Sequence, residues 1–255
     1  MQVVDYETGA GTDGPAALLV AEAGSVDREA LEPGRELAYT LGRRRCAGTL
    51  DGDEHVPCRE PAAPYCEAHD SIWICARCTG TCLKPEMDCH QEHAVYLAAF
   101  APDAFKVGVT KRRRLRTRLR EQGADRAAHL YTVADGRIAR EIEAEIAAET
   151  PVPDAVRVRR KVSGMARTVD ETAWRRLLDR FDVRETFSFD YGFDLPAAPV
   201  RETLAAGTVV GTKGRILVLE REGGAFAVDM RDLVGYELLE GSSSRELQSS
   251  LGAFG

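Results

Sequence analysis

The apolar positions change spacing several times along the chain, and each change marks a region. Up to residue 41 they come in short runs, Gln2 to Glu7, Ala16 to Ala21 and Glu36 to Leu41. Glycine- and proline-rich turns part the runs, which predicts strands. Residues 46 to 89 carry few periodic apolar positions. Val95-Tyr96-Leu97-Ala98-Ala99-Phe100 then predicts a strand, Pro102-Asp103 a turn and Phe105 to Val109 a second strand, together a hairpin. Thr110 is placed to cap a helix running to about Gln122, with Leu115 and Leu119 as its buried contacts. A strand near Leu130 to Val133 follows. Asp135 caps a helix from about Arg137 to Glu149, stopped by Thr150-Pro151, with Ile138, Ile142 and Ile146 as its buried stripe. A helix after Asp170 puts Trp174, Leu177, Leu178 and Phe181 on one face. Phe187, Phe189, Tyr191 and Phe193 alternate as one side of a strand should. Strands are predicted again at Thr208 to Val210, Arg215 to Glu220, Ala225 to Asp229 and Gly235 to Leu239, with Gly223-Gly224 as a hairpin turn.

These elements make an α+β chain. A β-rich segment (1–42) leads into a cysteine-rich segment (43–93), an α/β domain (94–185), a second β-rich segment (186–241) and a flexible tail (242–255). Neither β-rich end is long enough for a good core, so both are expected to share one sheet or small barrel. No run approaches the ~18 to 20 apolar residues of a membrane span. The start, Met1-Gln2-Val3-Val4-Asp5-Tyr6-Glu7, has neither the basic flank nor the apolar stretch of an export signal. The expectation is a cytoplasmic protein with no membrane partner.

All 7 cysteines lie between Cys46 and Cys89. With His69 they offer eight soft ligands, enough for two tetrahedral zinc ions. In chain order Cys46, Cys58, Cys66 and His69 form one set, and Cys75, Cys78, Cys82 and Cys89 the other. Cys66-x2-His69 and Cys75-x2-Cys78 have the spacing at which a tight turn aims two ligands at one metal. An interleaved pairing stays open, and His90 and His93 are spare ligands. A disulfide framework fits less well, because the odd count leaves a free thiol. Sites filled entirely by protein are structural, so this segment is expected to take its order from metal.

The net charge of −7 is unevenly spread. Lys106, Lys111, Arg112, Arg113, Arg114, Arg116, Arg118 and Arg120 put +8 into one stretch without an acid, which leaves −15 elsewhere. Of the 34 basic residues 29 are arginine, and this acidic, lysine-poor composition resembles that of proteins from salt-loving archaea or from a GC-rich genome. Against such a background the basic stretch points to a nucleic-acid partner, DNA or RNA. Lys111, Arg112, Arg113, Arg114, Arg116 and Arg120 are the candidate contacts; a solvated face is the plainer reading.

The hairpin, basic helix, strand and second helix resemble the GIY-YIG nuclease superfamily. Ala94-Val95-Tyr96 stands where that family has Gly-Ile-Tyr, and Lys106-Val107-Gly108 where it has Tyr-Ile-Gly. Arg118 matches the family's helix arginine, with Arg116 as the nearest rival. Glu143, in Ala139-Arg140-Glu141-Ile142-Glu143, matches its metal-binding glutamate. The resemblance implies a small GIY-YIG-like α/β domain. It also implies a phosphodiester-cleaving site in which Tyr96 helps activate water, Arg118 holds the phosphate and Glu143 binds one Mg²⁺ or Mn²⁺, with Lys106 on phosphate. Lys106 in the tyrosine position and Ala94 in the glycine position depart from the motif, so a lapsed nuclease that only binds DNA or RNA is the alternative, and a zinc-dependent scaffold for proteins a third. From the residues alone, Tyr96 is equally a packed aromatic, Gly108 a close-packing glycine, and Glu141, Glu145 and Glu149 rivals of Glu143. Glu143 shares a helix line with Ala139 and Ala147, a small-residue row that suits a cleft. Over about Arg35 to Leu239 the chain also resembles a prokaryotic family, domain of unknown function twenty-seven ninety-seven. The order of the cysteine cluster, His93-Ala94-Val95-Tyr96, Lys106-Val107-Gly108-Val109-Thr110, Gln122-Gly123-Ala124, Val210-Gly211-Thr212-Lys213-Gly214 and Gly235-Tyr236 carries that likeness, which implies no activity.

Overall fold

The computed structural model describes residues 1–11, 14–70 and 90–241. In chain order the first strands are β1 (Gln2–Glu7), β2 (Ala17–Glu22), β3 (Ser25–Ala30), β4 (Glu36–Arg44), β5 (Thr49–Asp51) and β6 (Glu54–Val56). Next come β7 (His93–Phe100), β8 (Ala104–Lys111), a 3-10 turn (Arg112–Arg114), α1 (Leu115–Glu121), β9 (Arg126–Val133), α2 (Gly136–Glu149), α3 (Val158–Ser163), α4 (Glu171–Leu178) and β10 (Glu185–Ser188). The chain ends on β11 (Val200–Arg201), β12 (Ala205–Lys213), β13 (Ile216–Arg221), β14 (Gly224–Asp229), α5 (Met230–Leu233) and β15 (Tyr236–Glu240). The chain divides into two compact units, residues 1–71 with 191–255, and residues 72–190. No helix among the described residues is long and apolar enough to cross a membrane.

In the first unit eleven strands form one sheet in the order β11-β14-β13-β12-β4-β15-β1-β2-β3-β6-β5. Strands from the two chain ends are interleaved: β4 lies between β12 and β15, and β15 lies between β4 and β1. Its core joins Val3, Leu18 and Leu37 from one end to Leu217, Leu219 and Met230 from the other. Each end thus supplies the apolar surface that the other lacks.

The second unit is a four-stranded sheet, β10-β9-β7-β8, with helices against it. Every residue from Ala94 to Phe100 on β7 is buried, as expected of a central strand covered on both faces. Val95, Leu97, Ala99 and Val107 cluster with Ala139 and Ile146 of α2 and Trp174 and Leu177 of α4. The register assigns the other face to Tyr96, Ala98, Lys106 and Gly108, since antiparallel partners point the same way.

Four local expectations are corrected. Thr110 caps no helix; it pairs with Ala94 in β8, and α1 begins only at Leu115, without a side-chain cap. Of the expected stripe, Ile146 is buried and Ile142 packs on the core, but Ile138 is 45% exposed; the buried line of α2 is Ala139, Glu143 and Ile146. The small Ala139 lets the helix approach the sheet, and that contact decides which side turns inward. The aromatic alternation is not one strand: β10 stops at Ser188, and Phe193 packs on Gly211 in the other unit, where an added Cβ would meet Phe193 Cδ1 at 2.5 Å. The hairpin turn falls on Glu222-Gly223, both at positive φ, while Gly224 already pairs with Arg221. Asp135 and Asp170 cap α2 and α4 as their positions suggest, Asp135 accepting from Arg137 N at 2.6 Å and Asp170 from Ala173 N at 2.9 Å.

Candidate functional site

Two polar centres stand out, one in each unit. In the first, Cys46 follows β4, Cys58 follows β6, and Cys66 and His69 share a turn in which His69 N and Asp70 N both donate to Cys66 O. One ligand atom from each of the four lies within 4.8 Å of the others. His69 Nδ1 is 3.4 Å from Cys46 Sγ and 3.2 Å from Cys66 Sγ. Ligands on a tetrahedral zinc stand about 3.3–3.8 Å apart given metal–ligand bonds of about 2.0–2.3 Å, so the three sulfurs and one nitrogen fit an ion such as zinc. Cys46 and Cys66 are buried, Cys58 and His69 half-buried.

The surroundings support that role. Gly48 N and Cys66 N both point at Cys46 Sγ, at 3.4 and 3.3 Å, as donors to a thiolate should. Gly48 sits at φ +74°, and a Cβ there would lie 2.1 Å from Val56 O, so the loop between the first two ligands closes only on glycine. Buried His55 contacts Ala47 O at 2.7 Å. Gln2 donates to Cys46 O at 3.3 Å and to Gly235 O at 3.0 Å, tying the site to β1 and to the turn before β15. Gly48, His55 and Gln2 were not singled out in the sequence; only a positive-φ glycine two residues after a cysteine could have signalled the loop. Cys75, Cys78, Cys82 and Cys89 lie outside the described residues. His90 and His93 are not among the four ligands: His90 lies 3.8 Å from Asp135, and His93 Nδ1 lies 2.5 Å from Gln91 O.

The second centre is built around Tyr96, on the four-stranded sheet. Tyr96 is directly opposite Gly108, and its ring lies where a Cβ would be: an added Cβ would stand 2.5 Å from Oη and 2.6 Å from Cζ. Glycine is therefore required by the ring, not by the backbone. Gln122, the C-cap of α1, donates to Tyr96 Oη at 2.5 Å. Burial raises the phenol above its ordinary pKa, while nearby Arg118 and the hydrogen bond from Gln122 pull it down. Arg118 also pairs with Glu121 at 3.2 Å. Its rival Arg116 turns away, its guanidinium 6.0 Å from the Phe189 ring.

Lys106 lies on the same face, one row along from Gly108. Burial lowers its ammonium to about 8, with Glu143 opposing the shift and Arg118 adding to it. Among the described residues no hydrogen bond or salt bridge reaches this ammonium, although the charges of Glu143 and Asp154 act on it. Glu143 is 7% exposed and its Oε2 accepts from Arg140 at 2.5 Å. Its field acts on both Lys106 and Tyr96. Tyr96, Lys106, Arg118 and Glu143 are thus electrostatic neighbours, whereas Glu141 is half-exposed and pairs with Arg137. The remaining basic residues form a separate surface: Lys111, Arg112, Arg113 and Arg116 line a groove of about 480 Å³ with Gln91 and Glu92. Arg114 is drawn to Glu121 at 2.6 Å, and Arg120 lies over Phe189 at 5.5 Å.

No curated protein and no solved structure matches this chain. Residues 34–238 match the family described as "Protein of unknown function (DUF2797)", which spans both centres, and the chain belongs to that family.

Proposed function

We propose that this is a zinc-stabilised, GIY-YIG-like protein that acts on nucleic acid and cleaves phosphodiester bonds at the Tyr96 centre. The observation that carries the reading is the electrostatic coupling of Tyr96, Lys106, Arg118 and Glu143, residues 47 positions apart at the extremes, with the Tyr96 ring laid over Gly108. Arg118 supplies positive charge for a scissile phosphate. Tyr96 accepts from Gln122, so its own proton is free to be donated to a phosphate oxygen. Because burial disfavours the phenolate, the better base is Lys106: at about 8 its pKa leaves roughly a tenth of it neutral at pH 7, enough to take the proton of an attacking water. A single carboxylate suits Mg²⁺ or Mn²⁺ held mainly by water and substrate, so Glu143 is the residue that would hold it once Arg140 lets go. Bound there, the ion would neutralise charge on the phosphoryl oxygens. Two zinc ions per chain are proposed, the second on Cys75, Cys78, Cys82 and Cys89.

The test is cleavage of labelled single- and double-stranded DNA and RNA with Mg²⁺ or Mn²⁺. Glu143→Gln is expected to retain binding and lose metal-dependent turnover. The rate of the wild type should rise with pH and level off above about 8, as Lys106 becomes neutral. Tyr96→Phe should slow the reaction by about 10²- to 10⁴-fold. Cleavage that survives Glu143→Gln would remove that residue from the site. The Arg140–Glu143 ion pair favours a second reading, a binder whose carboxylate is already satisfied; binding without cleavage of any substrate would select it.

A further inference from the structure

Phe187 stands on β10, on the sheet face that carries Lys106, and Phe189 follows just after the strand ends. The row Phe187, Ala127, Ala98, Lys106 crosses all four strands. The two rings are stacked, with centroids 6.2 Å apart and planes 7° from parallel. Phe189 is buried, and the guanidinium groups of Arg116 and Arg120 lie 6.0 and 5.5 Å from its centroid. Phe187 is only partly covered. It is therefore a partly exposed ring held parallel to a clamped one. The basic groove continues from the same place: Arg116 lines it, and Arg112, on its wall, pairs with Glu185 at 3.5 Å, two residues before Phe187.

We infer that this surface binds single-stranded nucleic acid, with an unpaired base stacked on Phe187 and the neighbouring phosphates held by Lys111, Arg112 and Arg113. The inference rests on the nucleic-acid reading above and specifies its substrate class. A base inside a duplex is already stacked on both sides and offers only its edge. An aromatic face beside arginines suits the face of an unpaired base, and it does so without reading sequence. Phe187 is also ordered before the base arrives, because Phe189 beneath it is fixed by Arg116 and Arg120, so little side-chain freedom is lost on binding. Three strand spacings of about 4.8 Å place the platform roughly 14 Å from Lys106 along that row, within reach of one short stretch of a single nucleic-acid strand.

The test is fluorescence anisotropy with a short labelled oligonucleotide, as DNA and as RNA, in three forms: single-stranded, annealed to its complement, and abasic. Phe187→Ala should weaken the single-stranded form by about 5- to 150-fold, leave the duplex unchanged and make no difference to the abasic strand. Phe187→Trp should restore binding. Phe187→Leu, which keeps the apolar contact with Phe189 but has no ring face, should behave as Phe187→Ala and guards against loss of fold, with thermal melting as the check. Arg113→Glu should weaken all three forms alike. Unchanged single-strand binding in both Phe187→Ala and Phe187→Leu, with Arg113→Glu still damaging, would overturn the base platform and leave the nucleic-acid reading standing. No binding of any form by the wild type, or equal competition by polyglutamate, would overturn both.

Discussion

Around Cys46 four soft donor atoms face one another, and backbone N–H groups are aimed at the sulfur; around Tyr96 cations outnumber the one buried carboxylate, and the Lys106 ammonium has nothing described to pair with. The first arrangement is closed on itself. Every donor points inward, which suits an ion that holds three chain segments together. The second is incomplete. Burying a charge without a partner destabilises a fold; on the proposed reading half-buried Lys106 is held for a group that arrives from outside. On the proposed reading, the same chain contains a centre whose energetics serve folding and a centre whose energetics serve binding.

That contrast breaks most severely at the metal. Cys66→Ser, or chelation, should unfold the unit formed by residues 1–71 and 191–255, because structural zinc contributes about 10–16 kcal/mol in small metal-dependent folds, comparable with the ~5–15 kcal/mol stability of a whole domain. Elemental analysis of reduced protein should find two zinc ions per chain, and circular dichroism should report the loss of strand signal on chelation. A unit that keeps its melting transition without metal would make the cysteine cluster an accessory rather than a staple.

A smaller effect of the opposite sign is expected at Lys106. Its native pKa of about 8 lies below the ordinary 10.5. Between those values the folded state binds fewer protons than the unfolded state, so this group's contribution to stability rises with pH across that window. Below pH 8 the full cost of the buried ammonium is present, and above 10.5 it is gone. Lys106→Met should stabilise the protein by about 3 kcal/mol at pH 7, and the gain should fade by pH 10.5. Urea unfolding at both pH values measures it. A destabilised Lys106→Met protein at pH 7 would mean that the ammonium is satisfied after all.

The mildest change sharpens the comparison by geometry. Gly108→Ala forces its Cβ against the Tyr96 hydroxyl and ring. The cost should be about 1–3 kcal/mol, confined to the unit that holds Tyr96, with zinc content unaltered. Turnover should fall further than stability does, because the displaced hydroxyl leaves Gln122 and Arg118 behind.

Much of this was legible beforehand, for reasons that can be named. The short apolar runs at β1, β4, β13 and β14 and the caps at Asp135 and Asp170 depend on neighbours in sequence, so they are readable there. Cys46, Cys58, Cys66 and His69 were legible because metal ligation restricts residue type so strongly. Tyr96, Lys106 and Arg118 were picked only through a motif likeness, and Glu143 through that likeness and the small-residue helix line it shares with Ala139 and Ala147. The strand at Thr110, the short strands β3, β5 and β6, and the split of the Phe187-to-Phe193 alternation between two units were not legible, since each depends on which partner strand is present.

The sequence by itself determined the building blocks: which segments alternate, where helices start, and which soft ligands are available. Tertiary structure decided their use. It turned Ile138 outward and Glu143 inward, because Ala139 let α2 settle on the sheet by that side. It laid Tyr96 across Gly108 and sent Arg118 toward it and Arg116 away, because strand register and helix direction fix side chains together. Spacing along a chain limits what can meet; burial and register, which are properties of the whole fold, select what does.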